Sequence, residues 1–325
     1  MIVSKLEGQW GAVRAIRLVL LTNFAFIALA SSVLRSADTS PHEPCIEFEI
    51  SLGKPRYVLG EDVWLRIVLA NNCDSAVTVT ELSYLAAGLR IDLVDSSGKR
   101  LSYTGFLDVD WYPGFEARLG AGESQGLLIS LVESHGRHSS PVTFGQLLPT
   151  GKYRVSCRFY SASAGSFDSD TLAFSIEAAA GDTAKALAAY VALEDSAATL
   201  LHKFYREHRK EGLLLYSEYI TTYPKSPVAP RLLNTLESLD RVQAGLYADW
   251  MISWYPESPW SAPSLLDLLY ADGADRREIL RSVANQHSGS HLRQVARDVL
   301  AGRRPVCTFP KAMYRIAREL QEEPR

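Results

Sequence analysis

The segment GESQG (residues 122–126) matches the G-x-S-x-G pattern of a hydrolase nucleophile. In hydrolases this serine stands on a sharp turn between a buried strand and a helix. The residues that follow Ser124 in this chain, LLISLVE, are instead typical of a strand. The sequence therefore favours a glycine turn that leads into a strand, with a hydrolase as the less favoured alternative.

A second group of chemically capable residues lies in the segment ESHGRH, where His135 and His138 are three residues apart and stand beside Glu133. Imidazole and carboxylate groups bind zinc, but a zinc site needs three or four ligands. The sequence offers no further ligands, so we expect an exposed polar loop. It also contains no phosphate-binding glycine loop and no HExxH motif. We therefore expect neither a catalytic residue, nor a metal, nor a cofactor.

A third group is aromatic and lies between residues 216 and 260. Trp250 and Trp254 are four residues apart, so on a helix they share one face. Most large aromatic residues pack in protein cores, although aromatic side chains are also enriched at binding hot spots. We predict that Tyr247, Trp250 and Trp254 belong to a surface that binds a protein or peptide partner, whose identity the sequence does not reveal.

The elements that carry these residues fall into two halves, of which the first, residues 45–178, has the pattern of strands. Apolar and polar residues alternate, and turn residues separate the alternating segments, as is typical of an antiparallel β-sandwich. The predicted strands lie in the segments CIEFEI, DVWLRIVLA, AVTVTEL, RIDLVDSSGKRLSYT, GLLISLV, GKYRVSCRFYS and DTLAFSIEA. Two longer segments, YVLGEDVWLRIVLANN and LLPTGKYRVSCRFYS, resemble bacterial immunoglobulin-like modules, which implies an immunoglobulin-like fold.

From Gly181 onward the apolar residues have helical spacing, and a short motif recurs. The segment YPKSP at 223–227 returns 32 residues later as YPESP at 255–259. A residue that precedes proline disfavours the helical conformation, so one helix ends at each Tyr-Pro. A weaker third copy surrounds Ser290. The pattern predicts stacked helical hairpins over 181–302, followed by a capping helix or tail over 303–325.

The same motif predicts how each following helix begins. Ser226 and Ser258 are placed to accept hydrogen bonds from the first free amides of the next helix. Pro227 and Pro259 then occupy its first position, where the missing N–H has no cost. We therefore predict that both serines are N-caps.

These repeats resemble the tetratricopeptide repeats of bacterial envelope proteins, in particular the Tol-Pal-associated and outer-membrane-assembly families, whose hairpin junctions carry YP-x-SPxAxxA. The likeness covers about residues 211–302. The period is about 32 residues rather than 34, and the third copy lacks both prolines. The small residue of the second helix is Ala244 in one copy but Arg276 in the next. The resemblance implies a helical scaffold that holds partners.

Residues 1–30 have the pattern of a secretory signal peptide. Arg14 and Arg17 precede the apolar run LVLLTNFAFIALA, whose last residues suit cleavage after Ala30. Without cleavage this segment would anchor the protein in a membrane, although the run is short for a bilayer span. We expect a periplasmic or secreted protein in which residues 31–44 form a linker.

Export would place the four cysteines in an oxidising compartment, where disulfides persist. Cys45 opens the first predicted strand and Cys73 follows the end of the second. Antiparallel pairing of these strands would bring both cysteines to the same end of the ladder. We therefore predict a Cys45–Cys73 disulfide.

The composition of 47% hydrophobic and 22% charged residues is that of a folded protein, and the net charge of −3 gives no indication of nucleic-acid binding. We predict a multidomain β + α protein, with an antiparallel immunoglobulin-like β-sandwich over 45–178 followed by a short tetratricopeptide-like helical-hairpin array over 181–302. We expect an exported, non-enzymatic binding or scaffold protein. The alternatives are an envelope hydrolase and a protease inhibitor, each with its site in the β domain.

Overall fold

The computed structural model describes residues 45–82, 88–102, 116–135, 147–203, 209–240, 242–271, 273–286 and 289–322. The predicted signal peptide (1–30), the predicted linker (31–44) and His138 lie outside these residues. Within them, strands occupy the first half and long helices the second, which confirms the β + α class.

The strands follow the alternating segments of the sequence. They are β1 (Ile46–Leu52), β2 (Arg56–Val58), β3 (Trp64–Asn71), β4 (Val77–Thr80), β5 (Leu89–Asp95), β6 (Arg100–Leu101), β7 (Glu116–Leu119), β8 (Ser124–Ser130), β9 (Gly151–Ser161), β10 (Gly165–Asp168) and β11 (Leu172–Glu177). One sheet has the order β1-β3-β8, a second has the order β2-β11-β9-β5-β6 with β10 also paired to β9, and β4 pairs with β7. Neighbouring strands are antiparallel except β2 and β11.

The two larger sheets share one apolar core. Inward-facing residues of β3, such as Leu65 and Ile67, pack in the same buried cluster as Val155 and Phe159 of β9. Side chains alternate between the two faces of a strand. The even-numbered residues of β9 from 152 to 160 therefore point outward, and they are polar or charged. The alternation in the sequence therefore determines which face of each sheet is buried.

The predicted disulfide between Cys45 and Cys73 is present. In the antiparallel pair of β1 and β3, Ile46 stands opposite Asn71. This register brings Cys45, just before β1, close to Cys73, just after β3. The other two cysteines, Cys157 and Cys307, are buried free thiols.

The helices correspond to the apolar-periodic segments of the sequence. They are α1 (Leu131–His135), α2 (Gly181–Lys203), α3 (Arg209–Thr222), α4 (Ala229–Leu239), α5 (Ala244–Trp254), α6 (Ser261–Tyr270), α7 (Arg276–Gln286), α8 (His291–Leu300) and α9 (Pro310–Glu322). From α2 to α9 each helix contacts the next, and α6 also contacts both α4 and α8. None of the helices in the described residues combines the length and apolar character needed to cross a bilayer.

The predicted N-caps at Ser226 and Ser258 are wrong in detail. Helices α4 and α6 begin three residues after these serines, at Ala229 and Ser261, and neither has a side-chain cap. A backbone turn precedes each helix, because the amide of Ala229 binds the Ser226 carbonyl and that of Ser261 binds the Ser258 carbonyl. Pro227 and Pro259 therefore lie in these turns rather than at the first helical position.

The third copy of the motif does contain a side-chain cap. The Ser290 hydroxyl accepts a hydrogen bond from the Arg293 amide at 3.0 Å, at the start of α8. Ser290 has extended backbone geometry, as N-caps normally do. The copy that lacks prolines is therefore the one in which serine caps the helix.

The segment around His135 also differs from the prediction of an exposed loop. β8 ends at Ser130, and residues 131–135 form the short helix α1. His135 is buried, and its Nδ1 lies 2.9 Å from the Ser134 hydroxyl. Burial lowers the pKa of His135 to about 4, so its imidazole is neutral at physiological pH.

The β half and the helical half pack against each other within the unit formed by residues 46–325. The carboxylate of Asp62 accepts hydrogen bonds from Arg231 Nη1 at 3.0 Å and from Trp260 Nε1 at 2.7 Å. The Trp260 ring meets Trp64 of β3 edge-on, with 5.0 Å between the centroids. One acidic side chain between β2 and β3 thus holds both α4 and the turn before α6.

Gly60, in the turn just before Asp62, allows this close approach. Its φ of +96° lies in the region that favours glycine, and a Cβ there would stand 3.2 Å from Leu187 and from Pro227 of the helical half. A larger residue would be strained and would press against the helices.

Candidate protein-binding surface

Helix α5 carries the predicted binding residues and is apolar on more than one face. Its inner face buries Tyr247, Ala248, Met251 and Ile252. Tyr247 and Met251 belong to the core cluster shared by α2 to α5, whereas Ile252 belongs to the cluster of α6 to α9. The helix thus joins the two cores of the helical half.

The outer face of α5 exposes large apolar side chains next to the exposed Asp249. Val242 in the preceding turn is 94% exposed, Leu246 is 46% exposed and Trp254 is 45% exposed, while Trp250 is half-buried. These four residues follow one another at intervals of four, so they lie along one side of the helix. We call Val242, Leu246, Trp250 and Trp254 the outer stripe. The part of the stripe within α5, from Leu246 to Trp254, extends about 12 Å along the helix.

The aromatic residues of α5 form a continuous stack from the core to the surface. The Tyr247 and Trp250 rings meet edge-on, with centroids 5.9 Å apart. Trp250 and Trp254 stack at 4.9 Å with an interplanar angle of 14°, and Trp254 meets Tyr255 edge-on at 6.4 Å. Each exposed ring therefore rests on a ring beneath it, which restricts its side-chain freedom before any partner binds.

The end of α5 is fixed by contacts to the preceding repeat junction. The Tyr255 hydroxyl donates a hydrogen bond to the Pro224 carbonyl at 2.7 Å. In the preceding junction the Tyr219 and Ser226 hydroxyls lie 2.7 Å apart, and the Tyr219 hydroxyl also donates to the Ala186 carbonyl of α2. The two Tyr-Pro junctions are therefore linked to each other and to the core.

The beginning of α5 is positioned by Asp240. Its carboxylate accepts a hydrogen bond from the Val242 amide at 3.2 Å. Burial, together with Asp240, raises the pKa of Tyr247. Asp240 therefore lies between the exposed turn at Val242 and the buried base of the aromatic stack.

The structure places the three predicted binding residues at different depths. Tyr247 is 4% exposed and supports the stack from below, whereas Trp250 is half-buried and Trp254 exposed. Sequence reasoning missed Val242 and Leu246. The signal was available, because both follow by counting back in steps of four from Trp254 and Trp250.

The serine of the GESQG segment has a different structural role. Ser124 is exposed at the first position of β8, opposite Ala70 of β3, and a strand follows it rather than a helix. Gly122, with φ of +72°, forms the turn, and Glu123 accepts a hydrogen bond from the Gly120 amide. The glycine turn that leads into a strand is thus confirmed.

The buried Glu237 of α4 joins this helix to α6. The Ser264 hydroxyl donates to Glu237 at 2.5 Å, and Asp267 is also close to Glu237. Burial raises the pKa of Glu237 to about 7, and burial also raises the pKa of Asp267. Among the residues that the structure describes, no three His, Cys, Asp or Glu side chains are grouped closely enough to bind a metal ion.

Comparisons with known proteins assign no family to this chain. No protein-family model matches it, and no curated protein matches it. Among solved structures, the Spo0M sporulation control protein from Bacillus subtilis aligns with a TM-score of 0.24 and 14% identity, over 46% of this chain and 56% of Spo0M. A Listeria innocua beta-glucosidase aligns with a TM-score of 0.23 and 15% identity, over 40% of this chain and 16% of the enzyme.

The bacterial hydrophobin BslA aligns with a TM-score of 0.18 and 11% identity, over 42% of this chain and 96% of BslA. The chain thus spans about half the length of Spo0M and about a sixth of the glucosidase. At these TM-scores the alignments define no common fold for the whole chain, and the local geometry is the basis for a functional proposal.

Proposed function

We propose that this protein is an exported, non-enzymatic scaffold that binds an apolar segment of a protein or peptide partner along the outer stripe of α5. The observation that carries the proposal is that α5 exposes Leu246 and Trp254 beside the half-buried Trp250, although its inner face is already buried in the core. Large apolar side chains that are exposed together often mark a protein-binding site. The outer stripe therefore has the composition of a surface that a partner covers.

The chemistry of the stripe indicates the kind of partner. Leu246, Trp250 and Trp254 offer aliphatic and aromatic contacts over about two turns of helix, and Val242 extends them into the preceding turn. An amphipathic helix lays its apolar residues into such a surface at positions i, i+3 or i+4, and i+7. Stacked, partly ordered Trp rings suit this role, because little side-chain entropy remains to be lost on binding. We infer a partner segment with an apolar helical face.

The contacts between the helices support a tetratricopeptide-like array. Alternate helices α4, α6 and α8 contact one another in a row, while α5 lies beside α4 and α6. The Tyr255–Pro224 hydrogen bond links the two Tyr-Pro junctions. We propose that residues 181–302 form such an array and that residues 303–325 cap it, since α9 buries Met313, Ile316 and Leu320 in the same cluster as α8. Repeat arrays of this kind present extended binding surfaces.

Two features of the β half support export and an immunoglobulin-like sandwich. A β1-β3-β8 sheet and a β2-β11-β9-β5-β6 sheet enclose a shared core, as in immunoglobulin-like domains. The Cys45–Cys73 disulfide suits an oxidising compartment such as the periplasm or the extracellular space. We propose that this half carries the array rather than a catalytic or protease-inhibitory site, because Ser124 opens a strand and His135 is buried.

The proposal is tested by selecting peptides that bind the protein from a random display library and measuring their affinities by fluorescence anisotropy. Leu246→Glu places a charge in the middle of the outer stripe, so we expect it to weaken binding at least tenfold, or about 1.4 kcal/mol. Leu214→Glu is the matched control, because Leu214 is 67% exposed on α3, outside the stripe. Selected peptides that bind Leu246→Glu as tightly as the wild type would contradict the proposal.

A further inference from the structure

The outward face of the six-stranded sheet is basic, although the protein as a whole is acidic. Its strands alternate between buried and exposed positions, and the exposed positions carry most of the charge. The cations on this face are Arg56, Arg90, Arg100, Lys152, Arg154 and Arg158, and the anions are Asp92, Asp168 and Glu177. We call this set the basic face. It carries a net charge of +3 in a chain of net charge −3.

The strand register places some of these cations directly opposite one another. Arg90 of β5 pairs with Arg158 of β9, an arrangement that costs stability unless anions compensate. Asp168 compensates Arg158 at 2.6 Å. Asp92 lies 3.2 Å from Arg90 and 3.3 Å from Arg100, so one carboxylate serves two arginines. The three arginines in this part of the face thus share two acidic partners, which leaves one positive charge in excess.

In the described part of the sheet, neither Lys152 nor Arg154 stands directly opposite an acidic residue. Arg154 stands between Val94 of β5 and Ala173 of β11, and Lys152 stands opposite Ser175. Both side chains are exposed. Their directly opposite neighbours are small or apolar, and the nearest acidic side chains in the register stand at diagonal positions. This pair marks the centre of excess positive charge on the basic face.

The geometry points to a ligand that presents negative charge over an area. Cations on one strand are ~7 Å apart and those on neighbouring strands ~4.8 Å apart. Among the residues that the structure describes, the basic face has no Asn or Gln side chain, and the aromatic side chain on it, Tyr160, is 57% exposed beside Arg158. Sequence-tolerant nucleic-acid binding relies on several aromatic stacking platforms, whereas a tyrosine beside cations is typical of a membrane interface.

We propose that the basic face docks the protein onto an anionic phospholipid surface, with Lys152 and Arg154 as its main contacts. The attraction is electrostatic and needs no specific reading of a headgroup, which agrees with the small and apolar neighbours of the two cations. The surface is separate from the outer stripe, since it lies on the sheet formed by β2, β5, β6, β9, β10 and β11. Peripheral docking would bring the helical scaffold close to a membrane.

The test measures co-sedimentation of the full chain with phosphatidylcholine vesicles that contain or lack phosphatidylglycerol. We expect stronger binding to the anionic vesicles, and we expect Lys152→Gln with Arg154→Gln to weaken that binding about 25-fold, at about fivefold for each cation lost from the surface. The control removes two exposed cations elsewhere, Arg66→Gln with Lys225→Gln, and should retain binding. Residues 1–44 are identical in all variants, so their contribution cancels.

A charge-conserving swap, Lys152→Arg with Arg154→Lys, separates lost attraction from lost folding and should bind like the wild type. Raising the ionic strength from about 0.1 M to about 1 M shortens the screening length from about 10 Å to about 3 Å and should abolish the anionic preference. Equal binding to both vesicle types, or equal weakening of the double variant and the control, overturns the proposal. So does binding to polyphosphate or duplex DNA without binding to anionic vesicles.

Discussion

The hydroxyl of Tyr255 donates a hydrogen bond of 2.7 Å to the carbonyl oxygen of Pro224, 31 residues earlier. Both residues belong to Tyr-Pro junctions, so the junction of one repeat holds that of the preceding repeat. The repeated dipeptide therefore does more than end a helix. The tyrosine of the second junction donates the hydrogen bond, and the proline carbonyl of the first junction accepts it.

The first prediction concerns this contact. Tyr255→Phe removes the hydrogen bond while keeping the ring, so we expect a loss of about 1 kcal/mol in the free energy of unfolding. Urea denaturation followed by circular dichroism measures the change. Tyr223→Phe is the control, since Tyr223 packs on Tyr219 by its ring. Equal effects of the two substitutions would show that the hydrogen bond to Pro224 adds nothing.

The second prediction concerns the contact between the two halves. Asp62→Ala leaves the buried Arg231 without its anionic partner, and breaking a buried ion pair in this way costs about 3 to 5 kcal/mol. Thermal unfolding measures the loss. The exposed pair Lys185–Asp182 is the control, because Lys185→Ala should change nothing measurable. A small effect of Asp62→Ala would mean that water reaches Arg231.

The third prediction concerns the pH dependence of stability. The pKa of Glu237 is about 7 in the folded protein, against an ordinary value of 4.5. The folded state therefore holds this proton more tightly, so the contribution of Glu237 is fully present below about pH 4.5 and is lost as the pH rises through 7. We expect a loss of about 3 kcal/mol across this window from this group.

Glu237→Gln should remove this slope of the free energy of unfolding against pH, because the amide does not titrate. Urea unfolding at a series of pH values measures it. Glu218→Gln, at an exposed position of α3, should retain the slope. The same slope in wild type and Glu237→Gln would assign the pH dependence to other groups.

The fourth prediction separates binding from packing on α5. Trp254→Ala should lower the affinity for a selected peptide by about 2 kcal/mol and leave the melting temperature nearly unchanged, because Trp254 is exposed. Tyr247→Ala should instead destabilise the fold by about 3 to 5 kcal/mol, because Tyr247 is buried. Calorimetric melts and anisotropy on the same samples distinguish the two. A Trp254→Ala variant that melts early would place Trp254 in the core.

The fifth prediction concerns the one repeat junction with a serine cap. Ser290→Ala should cost about 1 kcal/mol, since its hydroxyl accepts the Arg293 amide. Ser238→Ala is the control, because the Ser238 hydroxyl is exposed and binds the Asn234 carbonyl within α4. Urea denaturation measures both variants, and their midpoints can be compared if the free energy of unfolding depends equally on urea concentration. Identical midpoints for the two variants would contradict the cap.

The types of the elements could be predicted from the sequence, because periodicity acts locally. Alternation in GKYRVSCRFYS requires a strand with one buried face, and the helical spacing from Gly181 onward requires helices. The Cys45–Cys73 pairing was also predictable, since the two cysteines flank two adjacent antiparallel strands. Trp250 and Trp254 could be assigned to one helical face from their spacing alone.

The tertiary structure decided which of these residues reach the surface. Tyr247 lies three residues before Trp250, yet it is buried, because α4 and α6 cover that side of α5. Ser226 and Ser258 are residue types that often cap helices, but turns at these serines delay the next helix by two residues, to Ala229 and Ser261.

Burial and charge accumulation depend on which strands and helices become neighbours, and no local pattern carries that information. His135 stands in a polar segment, but the fold turns it inward. Arg56, Arg90 and Arg154 lie far apart in the chain and share one face only because strand pairing aligns β2, β5 and β9 in one sheet. Local spacing determined the elements and the apolar sides of α5, whereas long-range packing determined the outer stripe and the basic face.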